Sequence, residues 1–203
     1  SNKQYLPIKE KTFLALSSSA PVLSNELISV IDEKQGEIVF PIVMGSALPY
    51  FSKGVVKMEN TFYNFEGNTS DPAIPKNTKD IVGLACQFLN APYLWGGRSI
   101  MGIDCSGFTQ LVYKLNGYKL PRDAYQQAEL GTPLSFVEEA EAGDLAFFDN
   151  EEGRITHVGI VLSDQRIIHA SGKVRIDKFD HYGIFHSDRR KYSHLLRVIK
   201  RFA

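Results

Sequence analysis

A cysteine and two histidines in the second half of this 203-residue chain have the surroundings and spacing of a nucleophile and its bases. Cys105 stands in the string DCSGF, where Asp104 precedes a helical pattern and Ser106 and Gly107 fill its first turn. Unpaired backbone N–H groups and the helix dipole favour a thiolate at such a position, so a depressed thiol pKa is expected. Cys86, by contrast, lies within an apolar helix pattern and reads as a small hydrophobe. The two settings differ enough to argue against a disulfide, and no Cys-x-x-Cys pair marks a structural zinc site.

His157 opens the strand-like string HVGIVL, and His169 lies in the next, RIIHAS. If Ser163, Asp164 and Gln165 form the hairpin loop, Leu162 faces Arg166 and Gly159 faces His169. Side chains two apart share a face of a strand, so His157 and His169 then point the same way, about 7 Å apart along the sheet. Gly159 leaves room between them, whereas a two-residue loop would set them on opposite faces. A thiol, an imidazole to take its proton and a second polar group to orient that imidazole make up a nucleophilic set. A Cys–His–His set also suits zinc, but no fourth ligand lies nearby in the sequence. His181, His186 and His194 stand in polar, turn-like strings and read as surface residues.

The elements that position these residues follow from periodicity. Ile81, Leu84, Ala85 and Phe88 recur at helical spacing after Asn77 or Thr78, either of which can cap. Phe108, Leu111, Val112 and Leu115 repeat the pattern behind Cys105, and Asn116–Gly117 supplies the stop. A third short helix is expected from Asp123. From Asp144 onward the strings DLAFF, HVGIVL, RIIHAS and LLRVIK read as strands. Residues 73–203 are therefore predicted to be α+β, helices first and an antiparallel sheet afterwards. Before the linker-like string GNTSDPAIPKNT, runs at Leu27–Ile31, Ile38–Val43 and Gly54–Met58 predict an all-β barrel or sandwich of about five strands over residues 1–72. That part holds neither His nor Cys and reads as a structural or binding module.

Composition narrows the classes. The chain has 23 Lys+Arg against 23 Asp+Glu, so no basic excess faces a nucleic acid, and no apolar run is long enough to span a membrane. The first residues, SNKQYLPIKEKTFLAL, lack the pattern of a signal peptide.

Six strings occur in order: YLWGG from Tyr93, DCSGF from Asp104, LPRDAYQQ from Leu120, GDLAFF from Gly143, THVGIV from Thr156 and IHAS from Ile168. Together they resemble the NlpC family of bacterial cell-wall cysteine peptidases, from about Asp80 to the C-terminus. The resemblance implies a papain-like fold, an SH3-like module before it, and hydrolysis of peptidoglycan stem peptides between γ-D-glutamate and a diamino acid. By motif, it makes Cys105 the nucleophile, His157 the base, His169 the orienting member and Tyr93 an oxyanion donor. Trp95 corresponds to a substrate-pocket wall, and Asp104 and Ser106 to substrate contacts. Many relatives that cleave free stems carry Ser after PRD, where this chain has Ala124. No cofactor or metal is implied, a monomer is expected, and the implied place is the periplasm or cell envelope, with a cytoplasmic recycling role as a variant. Asp104 is the expected partner for the ammonium of a free N-terminal L-Ala. An amidase or acyltransferase on the same frame, or a non-catalytic wall-binding protein, is the alternative.

Overall fold

The computed structural model describes residues 8–18, 22–34, 36, 38–74 and 77–202. The chain divides between Ala73 and Ile74 into two compact units.

The first unit opens with a helix, α1 (Glu10–Ser18), so it is not all-β as expected. The sequence there is EKTFLALSS, whose Glu, Lys, Leu and Ala are good helix formers. Seven short strands follow: β1 (Val22–Ser24), β2 (Ile28–Glu33), β3 (Val39–Val43), β4 (Ala47–Leu48), β5 (Val55–Met58), β6 (Thr61–Asn64) and β7 (Thr69–Ser70). They form two antiparallel sheets, ordered β4-β1-β7 and β3-β2-β6-β5. The expected runs appear as β2, β3 and β5. Strands of two or three residues, such as β1, β4 and β7, are too short to show alternation. Ile31, Leu48, Val56 and Phe65 make the core, with Ile42, Phe51, Met58 and Tyr63 packed against it.

The second unit begins with α2 (Thr78–Cys86). Asn77 caps it: its side chain accepts from the Asp80 N–H at 3.1 Å, and the Asp80 carboxylate accepts from the Asn77 N–H at 3.2 Å. A small hairpin of β8 (Arg98–Ser99) and β9 (Gly102–Ile103) leads into α3 (Cys105–Leu115) and the single turn α4 (Ala124–Gln127). Phe108, Leu111, Val112 and Leu115 of α3 are buried, and Phe88 meets Phe108 edge-on with centroids 5.8 Å apart. Burying each such side chain contributes about 1.5–3 kcal/mol.

The sheet contains β10 (Thr132–Leu134), β11 (Leu145–Asp149), β12 (Ile155–Leu162), β13 (Arg166–Ser171), β14 (Lys173–Asp180), β15 (Gly183–His186) and β16 (Lys191–Arg201). Its order is β10-β16-β11-β12-β13-β14-β15, and β15 also pairs with β16, which closes β11–β16 into a six-stranded ring. The loop Ser163–Gln165 has three residues, and Leu162 pairs with Arg166 and Gly159 with His169, the register the sequence predicts. One cluster draws on all six strands of the ring: Ala146, Phe148, Val161, Ile167, Phe179, Ile184 and Ile199. It therefore fills the inside. Alternation places His157 on that same inner face with Val161, and His169 with Ile167.

Candidate active site

The cysteine is placed by its cap. The Asp104 carboxylate accepts from the Gly107 N–H at 2.7 Å, which starts α3 at Cys105. It also accepts from the Gly96 N–H at 2.8 Å, tying the YLWGG loop to the same helix start. Gln127 fastens α4 alongside: its Nε2 donates to the carbonyls of Ser106 and Pro121 at 3.0 and 2.9 Å, and Thr109 Oγ1 donates to its Oε1 at 2.7 Å. Cys105 Sγ then lies 3.9 Å from the Thr156 carbonyl oxygen, with the Val158 N–H also directed at it. The thiol thus rests against the backbone on both sides of His157.

The two histidines meet on the inner face. His157 Nε2 and His169 Nδ1 are 2.8 Å apart, and His169 Nε2 is 3.0 Å from Asp177 Oδ2. Gly159 makes the approach possible, since a Cβ there would fall 2.9 Å from the His169 Cβ and 2.7 Å from Ile167. Arg175, two residues before Asp177 on β14, donates to Asp177 Oδ1 at 2.7 Å and reaches His186 Nε2 at 3.0 Å. Burial alone would raise the Asp177 carboxyl, but the hydrogen bonds from His169 and Arg175 hold it at about 2.

Proton positions follow from this chain of bonds. Ionised Asp177 only accepts, so His169 carries its proton on Nε2. Burial, outweighing the pull of Asp177, keeps His169 below the usual imidazole range, so its Nδ1 holds a lone pair and accepts from His157 Nε2–H. Burial first, and then the neighbouring His169 and His194, push His157 well below that range too. Neutral His157 is therefore left with its lone pair on Nδ1. The carboxylate has fixed the tautomer of a ring it does not touch.

The cysteine departs from expectation. Burial pushes the Cys105 thiol up, and the negative charge of Asp104 adds to this; the N–H groups of Val158, Ser106 and Cys105 itself oppose the rise without reversing it. The helix start is as expected, but the loss of water and the carboxylate cap raise the thiol by more than the nearby N–H groups lower it. The free site thus holds a neutral thiol and a neutral imidazole. In a Cys86→Ser background, iodoacetamide should label Cys105 faster with rising pH up to and beyond the ordinary thiol range of about 8.5. A labelling rate that levels off between pH 5 and 7 would restore the depressed-pKa reading.

Tyr93 stands half-buried, bridged to Ile103 and Gly172 through its backbone. Partial burial, followed by the charges of Cys105 and Asp104, raises its hydroxyl pKa and keeps it a donor. Trp95 is 85% exposed at its turn. Asp104 and Ser106 are buried and already engaged: Arg122 Nη1 donates to Asp104 Oδ1 at 3.0 Å and to Ser106 Oγ at 2.9 Å. The Asp104 charge is therefore neutralised from within the protein. Ala124 is buried at the start of α4.

The sequence reading missed Asp177, Arg175 and Arg122. Alternation on RIIHAS and KVRIDKFD held the signal for the first two, since Arg175 pairs with His169 and Asp177 shares its face. His194 was misread. It is half-buried, and its ring stacks on His157 with centroids 4.1 Å apart and planes at 25°. His186 is likewise half-buried beside Arg175, while His181 is exposed as expected. Both cysteines are free. Among the described residues, no group of three His, Cys, Asp or Glu side chains has the geometry of a metal site. No helix there is long and apolar enough to cross a membrane.

A cysteine at a helix start, set against a hairpin bearing a buried, carboxylate-anchored histidine pair, has the components of a thiol-nucleophile site with an imidazole base. The chain carries an NlpC/P60 family domain, the family model matching residues 90–189. It is 40% identical over 147 residues to the gamma-D-glutamyl-L-lysine dipeptidyl-peptidase of Bacillus subtilis, covering 68% of this chain and 48% of that protein. The Bacillus cereus protein of the same name is 35% identical over 116 residues, covering 56% of this chain and 33% of its own length. The chain thus spans half or less of these curated relatives. The crystal structure of an NlpC/P60 family protein from Bacillus cereus superposes with a TM-score of 0.81 at 24% identity, over 98% of this chain and 68% of that one. The fold is therefore shared across both units.

Proposed function

We propose that this protein is a cysteine peptidase of papain-like fold that hydrolyses peptidoglycan stem peptides at the bond between γ-D-glutamate and a diamino acid. The observation that carries the reading is the relay from Asp177 through His169 to His157, which leaves a lone pair on the imidazole whose flanking backbone groups, the Thr156 carbonyl and the Val158 N–H, face the Cys105 thiol. In this reading His157 Nδ1 takes the thiol proton as Sγ attacks the carbonyl carbon. The Cys105 N–H, an orphan donor of the first turn, and the Tyr93 hydroxyl hold the oxyanion. His157 then protonates the leaving amine, and water hydrolyses the thioester. Arg122, about one-third exposed beside Ser106, supplies positive charge for the α-carboxylate that a γ-linked glutamate keeps. Trp95 is assigned to the pocket wall, residues 1–72 to an SH3-like module and residues 73–203 to the catalytic domain. The cell envelope is the place where such a substrate occurs.

The Bacillus relatives are named gamma-D-glutamyl-L-lysine dipeptidyl-peptidases, which supports release of a dipeptide from the free end of a stem; the family resemblance makes L-Ala its first residue. Asp104, paired with Arg122, is better suited to holding the helix start than to meeting that ammonium. The test compares one L-Ala-γ-D-Glu-diamino-acid tripeptide with free and N-acetylated termini, products identified by mass spectrometry. The free stem should be cleaved with at least about tenfold higher kcat/KM, since acetylation both removes the terminal charge and lengthens the peptide beyond the end that a dipeptide-releasing site must hold. Equal values would overturn the free-stem preference and leave the cysteine mechanism standing. Products joined to an added amine rather than to water would mark an acyltransferase.

A further inference from the structure

A single hydrogen bond holds the His157 ring edge, at Nε2. Such a bond fixes where that nitrogen points but tolerates a tilt of tens of degrees, and Nδ1 on the opposite edge swings with the tilt. Another contact must therefore set the plane. The ring of His194, from β16, lies nearly parallel to it at 4.1 Å. Around them, Phe148 from β11 lies with its ring centroid 5.9 Å from His157 and 6.2 Å from His194. His194 is itself anchored, with Ser193 Oγ 2.9 Å from its Nδ1 and its backbone paired with Ile184 of β15.

We propose that His194 is a positioning residue, whose stacked imidazole fixes the plane of the His157 base and keeps water from that face. This rests on the reading of His157 as the base. The role requires an uncharged ring, because a cation stacked there would oppose formation of the His157 imidazolium. The titratable groups facing His194 are His157 on β12, His169 on β13, Asp177 on β14 and His186 on β15, with Arg175 of β14 bonded to both Asp177 and His186. Burial first, then His169 and His186 against the opposing Asp177, bring His194 down to about 4, so the ring is neutral at physiological pH. Nothing in the string KYSHLL announces this, because β16 reaches His157 only through its long-range pairing with β11, the neighbour of β12.

The experiment uses the full chain with the free tripeptide stem, and compares wild type with His194→Ala, His194→Phe and His157→Ala. It records kcat, KM and the pH profile of kcat/KM, with the imidazole titration of His157 followed by NMR. His194→Ala should lower kcat by about tenfold, the scale of groups that orient a catalytic ligand, with KM within about twofold. Its His157 titration should move up toward the ordinary imidazole value as water reaches the ring. His194→Phe keeps a flat ring and should recover kcat to within about threefold, with the His157 titration still low. The proposal is overturned if His194→Ala keeps wild-type kcat and an unmoved titration, or if His194→Phe is as slow as His194→Ala. Should His194→Ala fail to fold, the phenylalanine variant carries the decision through its rate and its His157 titration. An active His157→Ala would instead overturn the base reading, and an inactive one beside a fully active His194→Ala would remove only the role of His194.

Discussion

Replacing His157 with alanine lowers kcat by about 10²–10⁴, the range that general acid–base catalysis contributes. The expectation rests on the lone pair that the relay leaves on Nδ1, which no other described group beside the Cys105 thiol is placed to replace. His169→Ala and Asp177→Ala remove only the orienting partners, so each should cost less, about 10- to 100-fold. If His169→Ala proves worse than His157→Ala, the two roles are reversed. The pH profile supplies an independent check. The base works deprotonated, and His157 lies well below the usual imidazole range, so activity should persist as pH falls through about 6.5 and fail only at lower pH. An acid limb at or above that value would place the titrating base elsewhere.

Arg122→Ala should lower kcat/KM by about 10²-fold, although Arg122 has no part in the proton transfer. Its guanidinium balances Asp104, whose side chain is only 8% exposed and which directly precedes Cys105. Burial would raise the Asp104 pKa, and the bonds from Arg122, Gly107 and Gly96 keep it low. Without Arg122 that charge stands uncompensated beside a thiol that must become an anion, which opposes attack directly. The cap and the Gly96 contact also loosen, and a displacement of about 1 Å at the nucleophile costs on the order of 10²-fold. Leaving a buried charged acceptor without its partner should cost about 1–3 kcal/mol of stability, visible as a lower Tm. Arg122→Lys restores the charge without the two-pronged fork, so partial recovery is expected. Activity of Arg122→Ala within threefold of wild type would remove this role and return Asp104 to the list of substrate contacts.

Much of the helical half was legible because its signals are local. The cap Asp104, the apolar spacing behind Cys105 and the stop at Asn116–Gly117 all act within a few turns of chain, and α3 runs from Cys105 to Leu115 as they dictate. The His157–His169 register was legible for the same reason, since a three-residue loop and strand alternation leave one outcome. Helix α1 escaped because nine residues are too few for propensity or apolar spacing alone to mark a helix.

What the sequence by itself determined was which residues are candidates for the reacting groups and the neighbours each acquires within its own helix or hairpin. What only the tertiary structure decided was their charge and aim. The helix dipole visible in the sequence argues for a thiolate at Cys105, yet burial against β12 and the nearby Asp104 reverse the sign, because desolvation depends on what packs over a group. Asp177 and Arg175 sit one strand beyond His169, and His194 sits 37 residues from His157 (194 − 157), on a strand that joins the site only when β16 pairs with β11. No periodicity records such a contact, since pairing between distant strands is settled by the burial of one shared interior and not by any short stretch of chain.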